Sequence, residues 1–199
     1  MTNHLELCEP LRNRYFVMRH GESKANLAGI IIASPENGLK ADYGLTERGI
    51  IQAERSAEQS SLGVMTIIYS SDFSRAWQTA ETVARVVGAA PPHAATALRE
   101  RHFGEFEARS NVHYEDVWND DAVDAAHQSN GVESVDQVIA RATAFILQLE
   151  DRHQNEMLLL VSHGDTLQIL QTAFEKIDCR QHRDLTHLET AEIRELRLK

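Results

Sequence analysis

Apolar positions along the chain gather in three short continuous runs, at residues 15–18, 66–69 and 157–161. Such runs do not alternate with polar residues, which suits strands covered on both faces, as in a parallel sheet. Residues 94–98 give a weaker strand signal. Ile193, Leu196 and Leu198 alternate imperfectly within 192–198, as an edge strand can. Between the runs the period lengthens to that of a helix. Ser134 and Gln137 form a capping box, and Val135, Val138, Ile139, Ala142, Ile146 and Leu149 then fall on one helical face. A second helix is predicted over 72–87, with Ala76, Ala80, Val83, Ala84 and Val87 inward, and further helices over 46–60 and 165–174. Strands alternating with helices predict an α/β fold: a three-layer α/β/α sandwich with a mostly parallel central sheet. We read one domain over 1–199. Residues 101–130 fit no strand–helix unit and are expected to form a helical insertion, a lid able to cover a site.

Composition narrows the class of ligand. In 199 residues, 30 Asp and Glu outnumber 20 Lys and Arg, giving a formal net charge of −10. That surface repels nucleic acid and anionic membranes, so neither is an expected partner, and an anionic ligand must be caught by a local basic pocket. No apolar run approaches the ~20 residues of a membrane span. The first ten residues have no apolar leader segment. Cys8 and Cys179 are far apart and lack metal-ligand spacing, which predicts inert thiols in a reducing, cytoplasmic setting.

Each strong strand runs directly into polar, reactive residues: Arg19-His20-Gly21, Ser70-Ser71-Asp72 and Ser162-His163-Gly164. In open parallel sheets the carboxyl ends of the strands line the ligand crevice, so these segments are expected to meet. His20 can attack phosphorus in line if Nε2 is unprotonated. Arg19 supplies a planar fork for two phosphate oxygens, and Gly21 lets backbone approach an anion. Arg75 lies in the first turn of a predicted helix, where amides also favour anions. His163 ends the third strand, and Gly164 opens the next helix. Arg-His-Gly alone is a weak signal. Two arginines and two histidines at neighbouring strand ends make a cage for a tetrahedral anion.

Arg19-His20-Gly21-Glu22-Ser23 with Asn26 resembles the signature of the histidine phosphatase, or phosphoglycerate mutase-like, superfamily. Further resemblances follow in family order. They are Leu45-Thr46-Glu47-Arg48-Gly49, Ser70-Ser71-Asp72-Phe73-Ser74-Arg75-Ala76 with Thr79-Ala80, the acid motif from Leu98-Arg99-Glu100 to Glu107, Gly131-Val132-Glu133-Ser134, and Ser162-His163-Gly164. Ala108 departs from the pattern where a glycine commonly closes the acid motif, and a local backbone change is expected there. The resemblance implies His20 as nucleophile, with Arg19, Arg75, Asn26 and His163 holding the phosphoryl group. Ser23, Gly21 and Gly164 would contribute to substrate binding, and Glu100 would be the general acid, with Glu105 or Glu107 as fallbacks. It implies no cofactor and no catalytic metal, because the cationic cage takes the part Mg²⁺ plays elsewhere. The remaining histidines show no metal-ligand pattern.

The superfamily contains hydrolases and isomerases. The short gap between Glu100 and His163 resembles the phosphatase branch, and Glu115, Asp116, Asp120, Asp121 and Asp124 would repel a doubly phosphorylated intermediate. An acid at Glu100 favours esters of alcohols, that is, a small-molecule phosphate ester as the partner, with phosphohistidine as the intermediate. A phosphoglycerate mutase and a non-catalytic phosphoprotein-binding module are the alternatives. Lys24, Arg101, His102, Phe106, His113, Tyr114 and Trp118 are candidates to line the outer pocket, with Phe103, Phe106 and Trp118 also fitting a packing role.

Overall fold

The computed structural model describes residues 3–8 and 10–199; the domain span 1–199 and the reading of the N-terminus include residues 1, 2 and 9, which lie outside the described residues. Five strands, β1 (Arg14–Arg19), β2 (Ile67–Ser70), β3 (His93–Ala94), β4 (Met157–Ser162) and β5 (Ile193–Leu196), form one sheet in the order β3-β2-β4-β1-β5. β2, β3, β4 and β1 are parallel, and β5 pairs antiparallel with β1 at the edge. The principal helices are α1 (Lys24–Ala28), α2 (Pro35–Gly38), α3 (Glu47–Glu58), α4 (Ser74–Val87), α5 (Tyr114–Val123), α6 (Val135–Arg152) and α7 (Gly164–Glu175).

The continuous apolar runs are explained by two cores. Tyr15 and Val17 of β1 with Leu158 and Leu160 of β4 face α6 and α7. Phe16, Met18, Leu159 and Val161 point the other way, toward Ala53 and Ala57 of α3 and Ala76, Ala80 and Val83 of α4. Successive strand side chains point to opposite faces, so a strand covered twice must be apolar throughout. α6 begins as its sequence predicts: Ser134 Oγ accepts the Gln137 N–H, Gln137 Oε1 accepts the Ser134 N–H, and all six inward residues are buried.

The predicted strand at 94–98 is corrected. Only His93–Ala94 pairs with β2, and Thr96–Leu98 is a 3-10 turn. The Ser162 hydroxyl donates to the Leu98 carbonyl at 2.6 Å, and Leu98 is fully buried. The turn therefore carries the chain inward instead of along the sheet edge, and delivers Glu100 to the strand ends.

Residues 101–130 contain three 3-10 turns and α5, packed through a small third core of Ile31, Ala33, Phe103, Val117 and Val132. Ala108 has a left-handed backbone, φ 59°, a conformation that glycine adopts without steric cost; its N–H donates to the Ile31 carbonyl at 2.7 Å. A Cβ in that region costs roughly 1–2 kcal/mol, while glycine loses more freedom on folding. Ala108→Gly should therefore stabilise the protein by about 0.5–1 kcal/mol. Denaturant unfolding checks this, and a destabilised variant would show that the strain is relieved elsewhere.

Candidate active site

β1, β4 and β2 are adjacent, and their carboxyl ends bring three segments together. Arg19 and Ser162 are paired in register, and the His20 N–H continues the ladder to the Ser162 carbonyl at 3.0 Å. The rings of His20 and His163 consequently meet edge to face, with centroids 5.1 Å apart. Ser71, beyond β2, places its hydroxyl 2.9 Å from His163 Nε2.

His20 is buried, and its Nδ1 lies 2.7 Å from the Gly21 carbonyl. A carbonyl oxygen only accepts, so Nδ1 carries the proton and Nε2 holds a lone pair. Arg75 Nε donates to that Nε2 at 3.0 Å, which requires the same tautomer. Burial, then the charges of Arg75 and Arg19, hold the imidazole pKa well below its usual value. The His20 ring is thus neutral, with the Nε2 lone pair directed at the Arg75 Nε–H.

Three buried donors around it lack partners among the described residues: Arg19 Nε, Arg75 Nη1 and His163 Nδ1. Each guanidinium is anchored at one end, Arg19 Nη1 on the Leu188 carbonyl at 2.9 Å and Arg75 Nη2 on the Ile32 carbonyl at 2.8 Å. For His163 the tautomer follows from Ser71. The Ser71 oxygen accepts the Phe73 N–H, and its own hydrogen has His163 Nε2 as acceptor, leaving the ring proton on Nδ1. Buried donors are almost always paired, so three orphans together define a site for an anion.

An inner cavity of about 30 Å³ is lined by Arg19, His20, Ser23, Asn26, Arg75, Glu100, Tyr114 and Gly164, among others. It opens into a vestibule of about 300 Å³ that shares Arg19, Asn26, Glu100, Tyr114 and Gly164, and adds Asn111, Trp118, Asp165, Arg183, His187 and Leu188. Asn26 Oδ1 accepts both the N–H and the hydroxyl of Ser23, at 3.0 and 2.9 Å, which leaves the Nδ2 hydrogens as its free end. Ser23 therefore orients Asn26 and caps α1. Burial, then the negative charge of Asp165, raises the Glu100 pKa. Its Oε1 accepts the backbone N–H groups of Arg101 at 3.0 Å and Thr166 at 3.2 Å, which leaves Oε2 as the oxygen able to carry a proton. A neutral imidazole and a carboxyl whose pKa is raised share one cavity, the pairing that nucleophile-plus-acid chemistry needs.

Several expectations change. Gly21 is off the cavity wall: its N–H is taken by Thr79 Oγ1 at 3.1 Å, and a Cβ there would collide with the Gly49 carbonyl. It is a glycine because two backbones cross, not because an anion approaches. Arg101 is no pocket residue; it is fully buried, paired twice with Asp121 at 2.6 and 2.7 Å and once with Asp165 at 3.1 Å. Asp121 is thereby neutralised and leaves the acidic outer face. Glu107 accepts from the Ala33 and Ser34 N–H groups and the Asn37 side chain, bracing the entry to α2, and lines neither cavity, so it is no alternative acid; Glu105 is exposed and lines neither cavity. Lys24 and His102 are exposed away from the cavities, and Phe106 stacks on His113 at 4.9 Å. Tyr114 and Trp118 do line the vestibule. Sequence reasoning passed over Ser71, Asp165 and Arg183; the first two sit inside quoted or adjoining motifs, whereas Arg183 had no local signal. Among the described residues no cluster of three or more His, Cys, Asp or Glu side chains could hold a metal ion, and no helix is long and apolar enough to cross a membrane. Burial pushes the Cys179 thiol up to about 12.

Comparison with known proteins agrees with this geometry. The chain belongs to the histidine phosphatase superfamily (branch 1), whose family profile matches residues 15–199. Phosphoglycerate mutase-like protein 4 of Arabidopsis thaliana is 30% identical over 162 residues, covering 77% of this chain and 67% of that protein. The adenosylcobalamin/alpha-ribazole phosphatase of Salmonella typhimurium is 30% identical over 166 residues, covering 79% and 77%. A mycobacterial glucosyl-3-phosphoglycerate phosphatase shares the fold, with a TM-score of 0.75 at 23% identity over 94% of this chain and 90% of that one.

The lowered pKa of both site histidines has a direct readout. For His163 burial again comes first, followed by Arg75. The ring resonances of His20 and His163 should show no titration step near 6.5 in NMR, because protonation waits for lower pH. A step at 6.5 for either ring would mean that it is solvated, not caged.

Proposed function

We propose that the chain is a metal-independent phosphatase that hydrolyses small phosphate monoesters through a phosphohistidine on His20. The observation that carries this reading is an unprotonated His20 Nε2, covered by the Arg75 Nε–H, beside the unpartnered donors Arg19 Nε, Arg75 Nη1 and His163 Nδ1. An incoming phosphoryl oxygen competes for the Arg75 N–H and frees the lone pair it covers. Nε2 then forms a bond to phosphorus, and the ester oxygen leaves with the proton of Glu100 Oε2. Water, giving a proton back to the Glu100 carboxylate, attacks the phosphohistidine and releases inorganic phosphate. Charge accumulating on the equatorial oxygens is met by donors already in place, so little reorganisation is needed. The insertion at 101–130, which lays Tyr114 and Trp118 against the vestibule, acts as the lid.

Hydrolysis is preferred to isomerisation on the short gap before His163. The electrostatic argument from the insertion is weaker than its composition suggests, since Asp121 is turned inward and paired. Among the other four acids, only Glu115 lines the groove outside.

Enzyme quenched during turnover should carry phosphate that is labile in acid and stable in base, and His20→Ala should carry none and lose activity. The wild type should keep its turnover in excess chelator and convert 3-phosphoglycerate to free phosphate rather than to its 2-isomer. Acid-stable label, or loss of activity with EDTA, would defeat the assignment.

Glu100→Gln should slow the release of a basic alkoxide by ~10²–10⁴-fold, the usual worth of a general acid, and p-nitrophenolate much less. Single-turnover release of the alcohol isolates this step from dephosphorylation. Equal losses for both esters would assign Glu100 a positioning role.

A further inference from the structure

One wall of the vestibule is a stack of three planar groups. Tyr114, at the inner end, also lines the cavity that holds His20 and Glu100. The Trp118 ring lies 5.3 Å from it at an interplanar angle of 6°, and the Arg183 guanidinium carbon sits 3.7 Å above the Trp118 centroid. The indole cannot rotate freely, because its Nε1–H donates to Asp165 Oδ1 at 2.8 Å. Asp165 is in turn held by the buried Arg101. The stack is therefore anchored in the core and ends in an exposed cation.

Arg183 makes no hydrogen bond or ion pair with any described residue. The other basic groups on the vestibule walls are committed: His187 is held by Glu189 at 3.0 Å, and Arg19 also belongs to the inner cavity. Arg180, in the neighbouring groove, is held by Asp178 at 2.6 Å. Stacking covers a face of the guanidinium and leaves its N–H edge in plane, a fork that matches the two oxygens of a carboxylate. Its position also counts. The alcohol portion of an ester whose bridging oxygen faces Glu100 extends into this vestibule, beside Arg183. On the other side of Trp118 and Arg183, which line both spaces, a groove of about 790 Å³ carries Glu115, Asp178 and Asp184, which oppose a long polyanion.

We infer that Arg183 is a specificity-determining residue that selects phosphate esters whose alcohol portion bears one compact carboxylate. The inference rests on the phosphatase reading above for the direction in which the leaving group points. It commits to a phosphorylated carboxylic acid of a few carbons, not to an extended polyphosphate.

O-Phosphoserine and O-phosphoethanolamine differ by a single carboxylate and test the assignment. The wild type should favour phosphoserine in kcat/KM. In Arg183→Gln the ratio of the two kcat/KM values should fall by ~10–100-fold, the range of a lost charge-assisted hydrogen bond, chiefly through KM. Arg183→Lys should restore part of the ratio by returning the charge without the fork. The same ratio can be read without turnover, by calorimetric binding of the two esters in a His20→Ala background with and without Arg183→Gln. A ratio unmoved by Arg183→Gln in both measurements would overturn the inference, as would losses in equal proportion for both esters, which would mean that Arg183 merely supports Trp118. Absence of wild-type turnover on either ester and on p-nitrophenyl phosphate, with an Arg183-dependent binding ratio intact, would instead overturn the phosphatase reading and leave the carboxylate site standing.

Discussion

The hydrogen bond from His20 Nδ1 to the Gly21 carbonyl fixes where the imidazole proton sits, and the rest of the site is arranged around that choice. Because Nδ1 holds the proton, Nε2 faces the cavity as a base, and Arg75 can donate to it. Because the ring is buried and two guanidinium groups crowd it, the proton count stays at one. Such a cluster opposes folding: buried cations and orphaned donors each lose hydration without full compensation. It persists because the two flanking cores hold the strand ends from which it projects, leaving the carbonyls of Ile32 and Leu188 to anchor the arginines.

Asp165 joins the parts that must act together. It accepts from Trp118, pairs with Arg101 and, after burial, contributes most to raising the Glu100 pKa. Arg101 follows Glu100 in the chain and also grips Asp121 of α5. Removing one partner of a fully buried pair typically costs about 3–5 kcal/mol, so the insertion is tied firmly to the segment carrying the acid. In Asp121, burial is outweighed by hydrogen bonds from His182 and Arg101, and its pKa lies well below the usual carboxylate range. The resulting cavity is cationic at its floor and acidic beyond its mouth, with the aromatic stack between.

Most of the fold was legible because its signals are local. Unbroken apolar runs at β1, β2 and β4 report burial on both faces, and the Ser134–Gln137 box marks the start of α6 to the residue. The failed strand at 94–98 had only a weak signal, with three alanines in five residues, and the buried Ser162 hydroxyl and the pull of Leu98 into the core favour a turn. A side-chain hydrogen bond across 64 residues leaves no mark in the local pattern. At Ala108 the tertiary structure holds an alanine in the left-handed conformation that its residue type disfavours.

The chemistry divides in the same way. His20, Arg19, Arg75, Glu100 and His163 were identifiable by sequence because each follows a strong strand or belongs to an ordered set of motifs, and parallel strands deliver their carboxyl ends to one place. Their tautomers and protonation states were not, since these depend on which carbonyl or hydroxyl lies within 3 Å of each ring. Nor could sequence separate the buried Arg101 from the exposed Arg183, two arginines of equal intrinsic charge. Charge type is set by the residue; whether that charge is paired in the core or free at a cavity wall is set by which distant carboxylates and aromatic faces the fold brings against it.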